Sequence, residues 1–197
     1  MARSLLDGAD LARLRLAGLE GGPTALALAC LLQTGAAQHD PGDPEWPDRD
    51  RVLVDPALPL HAVAAVLGRA GYPVDEGRLG QGPGRVAADA VRAAAASREA
   101  GDPYRVFLLL DAASLGEGRV WEALVTAGRE RLDTLHALVV PSVPAGPQPR
   151  AVFLAAGWHP ETAAADPAEI LGGLDRALLR TAGPLAVPPS ALVLRSP

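Results

Sequence analysis

Three parts of the chain carry residue types that could do chemistry. The most informative is RVFLLLDAASLGEGRVWEA, residues 105–123. Val106 to Leu110 is an uninterrupted apolar run, the pattern of a parallel strand buried on both faces. Asp111, Ser114, Gly116 and Gly118 follow in a small-residue turn, after which Val120, Trp121, Ala123, Leu124 and Ala127 recur at helical spacing. A strand, a permissive turn and a helix form the place where α/β proteins commonly hold a phosphate, on the helix amino terminus. The second part is GRLGQGPG, residues 77–84, ahead of an Ala-rich helix. Bare N–H groups around Gly80, Gln81 and Gly82 can cradle an anion, or the glycines can serve only close backbone packing. The third comprises two isolated groups. His61, on an apolar helix, reads as a satisfied or surface histidine, and Cys30, within Ala25 to Leu32, as a buried core thiol.

All eighteen basic residues are Arg, which removes Schiff-base chemistry and a P-loop lysine. A formal net charge of −5 gives no electrostatic reason to approach nucleic acid or anionic membranes. A single cysteine allows no disulfide within the chain. The amino-terminal MARSLLDGADLARLRL is a broken amphipathic pattern interrupted by Asp7 and Asp10, not a signal peptide, and no apolar run reaches membrane-spanning length. A soluble, cytoplasmic protein is expected.

The elements that must position these groups follow from periodicity. Residues 4–17 predict a helix, Gly21-Gly22-Pro23 a break, and Thr24 to Leu32 a second helix, apolar all round and therefore buried. DPGDPEWPDRDR, residues 40–51, reads as a proline-stiffened loop anchored by Trp46. Val52 to Val54 predicts a short strand, His61 to Ala70 a helix, and Val86 to Ala100 the long Ala-rich helix. Beyond the central strand and helix, Leu135 to Val140 predicts a second buried strand and Ala151 to Ala155 a third. Pro167 to Arg180 predicts an amphipathic helix and Ala191 to Leu194 a last strand. Strands alternating with helices make the fold α/β, a mostly parallel sheet flanked by helices. The 49% hydrophobic share supports one domain over residues 1–197, with residues 1–50 a helical and proline-rich arm.

With the pieces in order, the chain resembles the amino-terminal half of transketolases, the domain that holds the diphosphate and magnesium of thiamine diphosphate. GGPTALALACLL is similar to that family's early helix, DPEWPDRDRVLV to its proline-and-tryptophan loop and short strand, and GRLGQG to its cofactor turn. VFLLLDAASLGEGRVWEAL resembles the metal-binding strand and turn, followed by RLDTLHALVV; FLAAGWHPETAAADPAEILGGLDRAL and PSALVLRS resemble the closing elements. The resemblance implies the thiamine-diphosphate-binding (PP-domain) fold. Pyrimidine-binding and carboxy-terminal domains have no counterpart here, so the chain would be a half-protein.

The same resemblance marks what has changed. Ala112 stands where the family's glycine–aspartate–glycine turn supplies a magnesium ligand, and Ser142 where an asparagine supplies another. Magnesium demands near-octahedral oxygen coordination, which a methyl group and a serine hydroxyl serve poorly. Asp111, one position away on an extended strand end, would point its carboxylate to the other side, unless a one-residue insertion in the turn restores it. Leu19 and Leu58 occupy two family histidine positions, and the segment carrying a third is missing between Gly71 and Gly77. Gly80, Gln81 and Gly82 would be vestiges of the cofactor turn. Glu117 and Glu122, with Trp121 between them, match residues at the interface between protomers, although ordinary solvated carboxylates at a helix start read equally well.

The leading expectation is therefore a silent subunit of a heteromeric, thiamine-diphosphate-dependent complex that transfers a two-carbon ketol unit. It would itself bind neither coenzyme nor metal. Its partner would be a transketolase-like pyrimidine-domain chain, and possible further company is an intact homologue of this half. Two alternatives stand beside it. One is an active half of a split transketolase with Asp111 and Ser142 as altered ligands; the other is an anion-binding module at Gly80 to Gly84.

Overall fold

The computed structural model describes residues 22–73, 82–101, 104–141, 148–181 and 187–195. Within them the helices are α1 (Gly22–Gln33), α2 (Leu60–Arg69), α3 (Pro83–Ala100), α4 (Gly118–Glu130), α5 (Pro149–Ala155) and α6 (Pro167–Thr181). The strands are β1 (Arg51–Val54), β2 (Val106–Asp111), β3 (Leu135–Val140), β4 (His159–Ala164) and β5 (Ser190–Arg195). A 3-10 turn, Ala112–Gly116, joins β2 to α4. All strand pairs are parallel, in the order β1-β2-β3-β5-β4, so the predicted α/β class with its flanked parallel sheet is what the chain adopts.

Two apolar layers sandwich this sheet, and the two-residue period of a strand decides which side chain joins which layer. Phe107 and Leu109 of β2 point to one face, where they meet Leu138, Val140, Leu192 and Leu194 under α1, α2 and α6. Val106, Leu108 and Leu110 point to the other, beneath α3, α4 and α5. That is why the central strands are continuous apolar runs: neither face sees water. Helix α1 is apolar all round because it lies wholly inside the first layer, with Leu28, Cys30 and Leu31 buried.

Two expectations fail here. Ala151 to Ala155 is not a strand but lies in helix α5. Pro149 sits in its first turn, where a missing N–H costs nothing, and Gly157, at φ 82°, terminates the turn that follows. The strand that the sequence reading missed is β4, HPETAA, which pairs with β5 along its whole length. Its composition is unlike the other strands because it is an edge: His159 and Thr162 are exposed while Pro160 and Ala163 are buried. The residues predicted as a helix at 4–17 lie outside the described ones.

The sheet's two edges differ. On β4, His159 N–H donates to the carbonyl of Pro189 in the β5 direction, so the backbone groups of residues 160, 162 and 164 face outward. The first of these, Pro160, has no N–H, and the N–H of Ala164 donates to Glu169 Oε2 at 2.5 Å. On β1, Arg51 N–H donates to Arg105 and Asp55 N–H to Leu109, so Val52 and Val54 present both their N–H and C=O groups away from the sheet.

No described helix is long and apolar enough to cross a membrane.

Candidate functional site

In an open parallel sheet the carboxyl ends of the strands form the natural site, and here they present Asp55 after β1 and Asp111 at the end of β2. Asp55 is buried. Its Oδ1 accepts the Ala57 N–H at 2.9 Å, closing the turn into α2, and its Oδ2 accepts the Asp111 N–H at 3.1 Å. Asp111 is half-buried, with Oδ1 accepting the Ala113 N–H at 2.7 Å, so its carboxylate caps the 3-10 turn. Both carboxylates thus serve their own backbone.

Ala112 is buried among apolar groups of the α3–α4–α5 layer. Leu58 is buried against the other layer. The cavity beside Asp55, lined by Val54, Pro56, Leu58, Leu60 and Val63, measures only about 10 Å³, the volume of one water. Among the described residues no three His, Cys, Asp or Glu side chains converge as a metal cluster would require. The carboxylates described at these strand ends, Asp55 and Asp111, each accept backbone N–H groups. Leu19, Gly80, Gln81 and Ser142 lie outside the described residues.

Gly82 forms the N-cap of α3 with no side-chain hydrogen bond. Gly84, two residues on, has a packing reason: a Cβ there would lie 2.6 Å from Arg119 Cβ, so its lack of a side chain lets the starts of α3 and α4 meet.

At the start of α4, Glu117, Trp121 and Glu122 are all exposed, the indole at 39%. Glu117 holds the N-cap position, where the helix dipole favours a negative charge. Glu122 also lines a groove of about 370 Å³ between α3 and α4, with Arg85, Arg92 and Arg119. Glu117, Trp121 and Glu122 thus all face solvent at the amino-terminal part of α4.

The isolated groups resolve simply. His61 is exposed on α2. Burial, aided by the charge of Asp166, pushes the Cys30 thiol up to about 12, which makes it inert.

Sequence reasoning missed Asp55 and His136. Asp55 precedes Pro56, and an Asx turn onto Ala57 was legible in that pair. Its bond to a residue on another strand was not, because it depends on β1 lying beside β2. His136, on β3, is fully buried; neither ring nitrogen has a hydrogen-bond partner, and its ring packs 5.4 Å from that of Phe107.

No protein-family model matches the chain, and no curated protein sequence matches it. Solved structures do. A transketolase from Leishmania mexicana superposes with a TM-score of 0.69 at 20% identity, over 94% of this chain and 35% of that one. A transketolase from Campylobacter jejuni gives 0.64 at 20% identity over 98% and 38%. A putative thiamin diphosphate-dependent enzyme from Mycobacterium smegmatis gives 0.54 at 20% identity over 75% and 28%. The chain spans about a third of the length of these structures. Its fold is that of a transketolase amino-terminal half.

Proposed function

With a transketolase-like fold as the premise, we propose that this chain is a non-catalytic subunit of a thiamine-diphosphate-dependent complex. That complex would transfer two-carbon ketol units in the cytoplasm. The observation that supports the reading is the engagement of Asp111, whose carboxylate caps the turn at Ala113, beside Ala112, a buried methyl where the resemblance would put a metal ligand.

The role left to such a chain is to hold a partner. In this reading a transketolase-like pyrimidine-domain chain docks on the patch formed by Glu117, Trp121 and Glu122, with or without an intact homologue of this half. An exposed indole flanked by carboxylates supports that assignment, since Trp is enriched where interfaces concentrate their binding energy.

Two measurements test it. Titration of thiamine diphosphate and magnesium into the chain is expected to give no saturable heat. Micromolar binding that disappears in Asp111→Ala would instead establish a split enzyme. Co-expression with a pyrimidine-domain chain is expected to yield a stable complex that Trp121→Ala weakens; a chain that ignores every such partner would end the proposal.

A further inference from the structure

A cavity of about 420 Å³ lies not at the strand carboxyl ends but along β1. Its lining includes all four β1 residues, Leu32 and Leu67 from the first apolar layer, and Ala93 of α3 from the second. The strand edge runs along the floor of a groove walled by both layers, and all of β1 is half-buried although, among the described residues, no strand pairs with its outer side.

We propose that this edge is a docking site for an extended peptide segment of another chain, apolar and carrying a carboxylate, which adds to the sheet as one further strand. Three observations support it, independently of any thiamine-diphosphate role. The outward N–H and C=O groups of Val52 and Val54 form the alternating donor–acceptor ladder that an extended backbone completes. The opposite edge lacks such a ladder, because Pro160 has no N–H and Glu169 holds that of Ala164, so openness at β1 is not shared by the sheet as a whole.

The groove is also pre-organised. His39 Nε2 lies 2.7 Å from the carbonyl of Leu32, which fixes it as the donor, so Nδ1 accepts the Tyr72 hydroxyl at 3.0 Å. The wall built by these rings therefore needs no rearrangement on binding.

The occupant's chemistry follows from the lining. Leu32, Val52, Val54 and Leu67 call for apolar side chains. At the mouth, Arg49 donates to the carbonyl of Trp46 and makes no ion pair among the described residues, whereas Asp50 beside it is matched by Arg105. Arg49 thus offers the lining a cation that an incoming carboxylate can match. A second copy of this chain fits poorly. Its own β1 would lie at the floor of an identical groove, and two recessed edges cannot approach to the roughly 4.8 Å that strand pairing requires.

The test uses the full chain and a short acetylated peptide alternating valine with glutamate. In the free chain the Val52 and Val54 amides should exchange rapidly with solvent while the Arg51 amide, bonded to Arg105, exchanges slowly. The peptide should slow both outward amides. Val54→Pro removes an outward donor and leaves the β1–β2 ladder intact, so it should weaken binding about ten-fold or more with an unchanged circular-dichroism melt. Arg49→Glu should shift preference to the counterpart peptide with lysine in place of glutamate. Undiminished binding by Val54→Pro, no binding at millimolar peptide, or outward amides already protected in the free chain by its own residues would each overturn the proposal.

Discussion

Asp55 Oδ2 receives the backbone N–H of Asp111 at 3.1 Å, which ties the carboxyl end of β1 to that of β2. The second oxygen holds Ala57, so one buried carboxylate fixes the relative height of two strands and the entry to α2. Asp55→Asn keeps the shape but turns one acceptor into an amide that faces an N–H. A buried donor is then left without a partner, and a loss of about 2 kcal/mol is expected from urea denaturation. Equal midpoints for the variant and the parent would show that the bond carries no weight.

His136 predicts the response to acid. Burial foremost, then the positive charges of Arg105 and Arg180, push its imidazole from the ordinary 6.5 down to about 3. Between these values the unfolded chain binds the proton and the folded chain does not. The full contribution is therefore present above pH 6.5 and falls with pH by about 1.4 kcal/mol per pH unit until the folded group titrates. Glu161 adds acid sensitivity of its own. Burial raises its carboxyl, but hydrogen bonds from Arg176 and Arg180 outweigh that and hold it below the ordinary range. The quantity to measure is thus the difference between parent and His136→Leu: near neutrality the two stability curves should differ by the packing change alone, and below pH 6.5 the parent should fall relative to the variant. Parallel curves would contradict the assignment.

Helix α4 can approach the segment after α5 only because Gly128 has no side chain. A Cβ built there would stand 1.8 Å from the carbonyl oxygen of Ala156, which is backbone and cannot swing aside. Gly128→Ala should cost about 3 kcal/mol or more, whereas Gly118→Ala, with nothing within 4 Å, should leave the melting temperature nearly unchanged. The matched pair separates a clash from a general intolerance of alanine in α4.

The Cys30 thiol should resist a disulfide reagent in the native chain and react at an unfolded-chain rate once denatured. Its burial and its pKa of about 12 leave almost no thiolate at neutral pH. Rapid native labelling would mean that α1 opens readily.

The sheet centre was legible because β2 and β3 lie between two helix layers and must be apolar on both faces; Val106 to Leu110 and Leu135 to Val140 could be little else. At the margin the same logic misled. Val152, Phe153 and Leu154 have strand-like types, yet they form a helix turn whose Phe153 meets Trp158 edge-on at 5.0 Å, a contact set by tertiary packing. β4 was hidden by Pro160 and Glu161, residues that suit an edge. For the site, the position of Asp111 at the end of β2 was readable from the chain alone. The engagement of Asp111 and the structural duty of Asp55 were not, since each depends on neighbours brought together by strand order.

Pro160 also bears on what concentrated solutions of this molecule can do. A sheet accessible from both sides can stack copy upon copy into an indefinite ribbon, the route to fibrous polymer. With Pro160 lacking an N–H and Glu169 holding that of Ala164, Thr162 is the one outward N–H left on the far side, which weakens the second contact that head-to-tail growth needs.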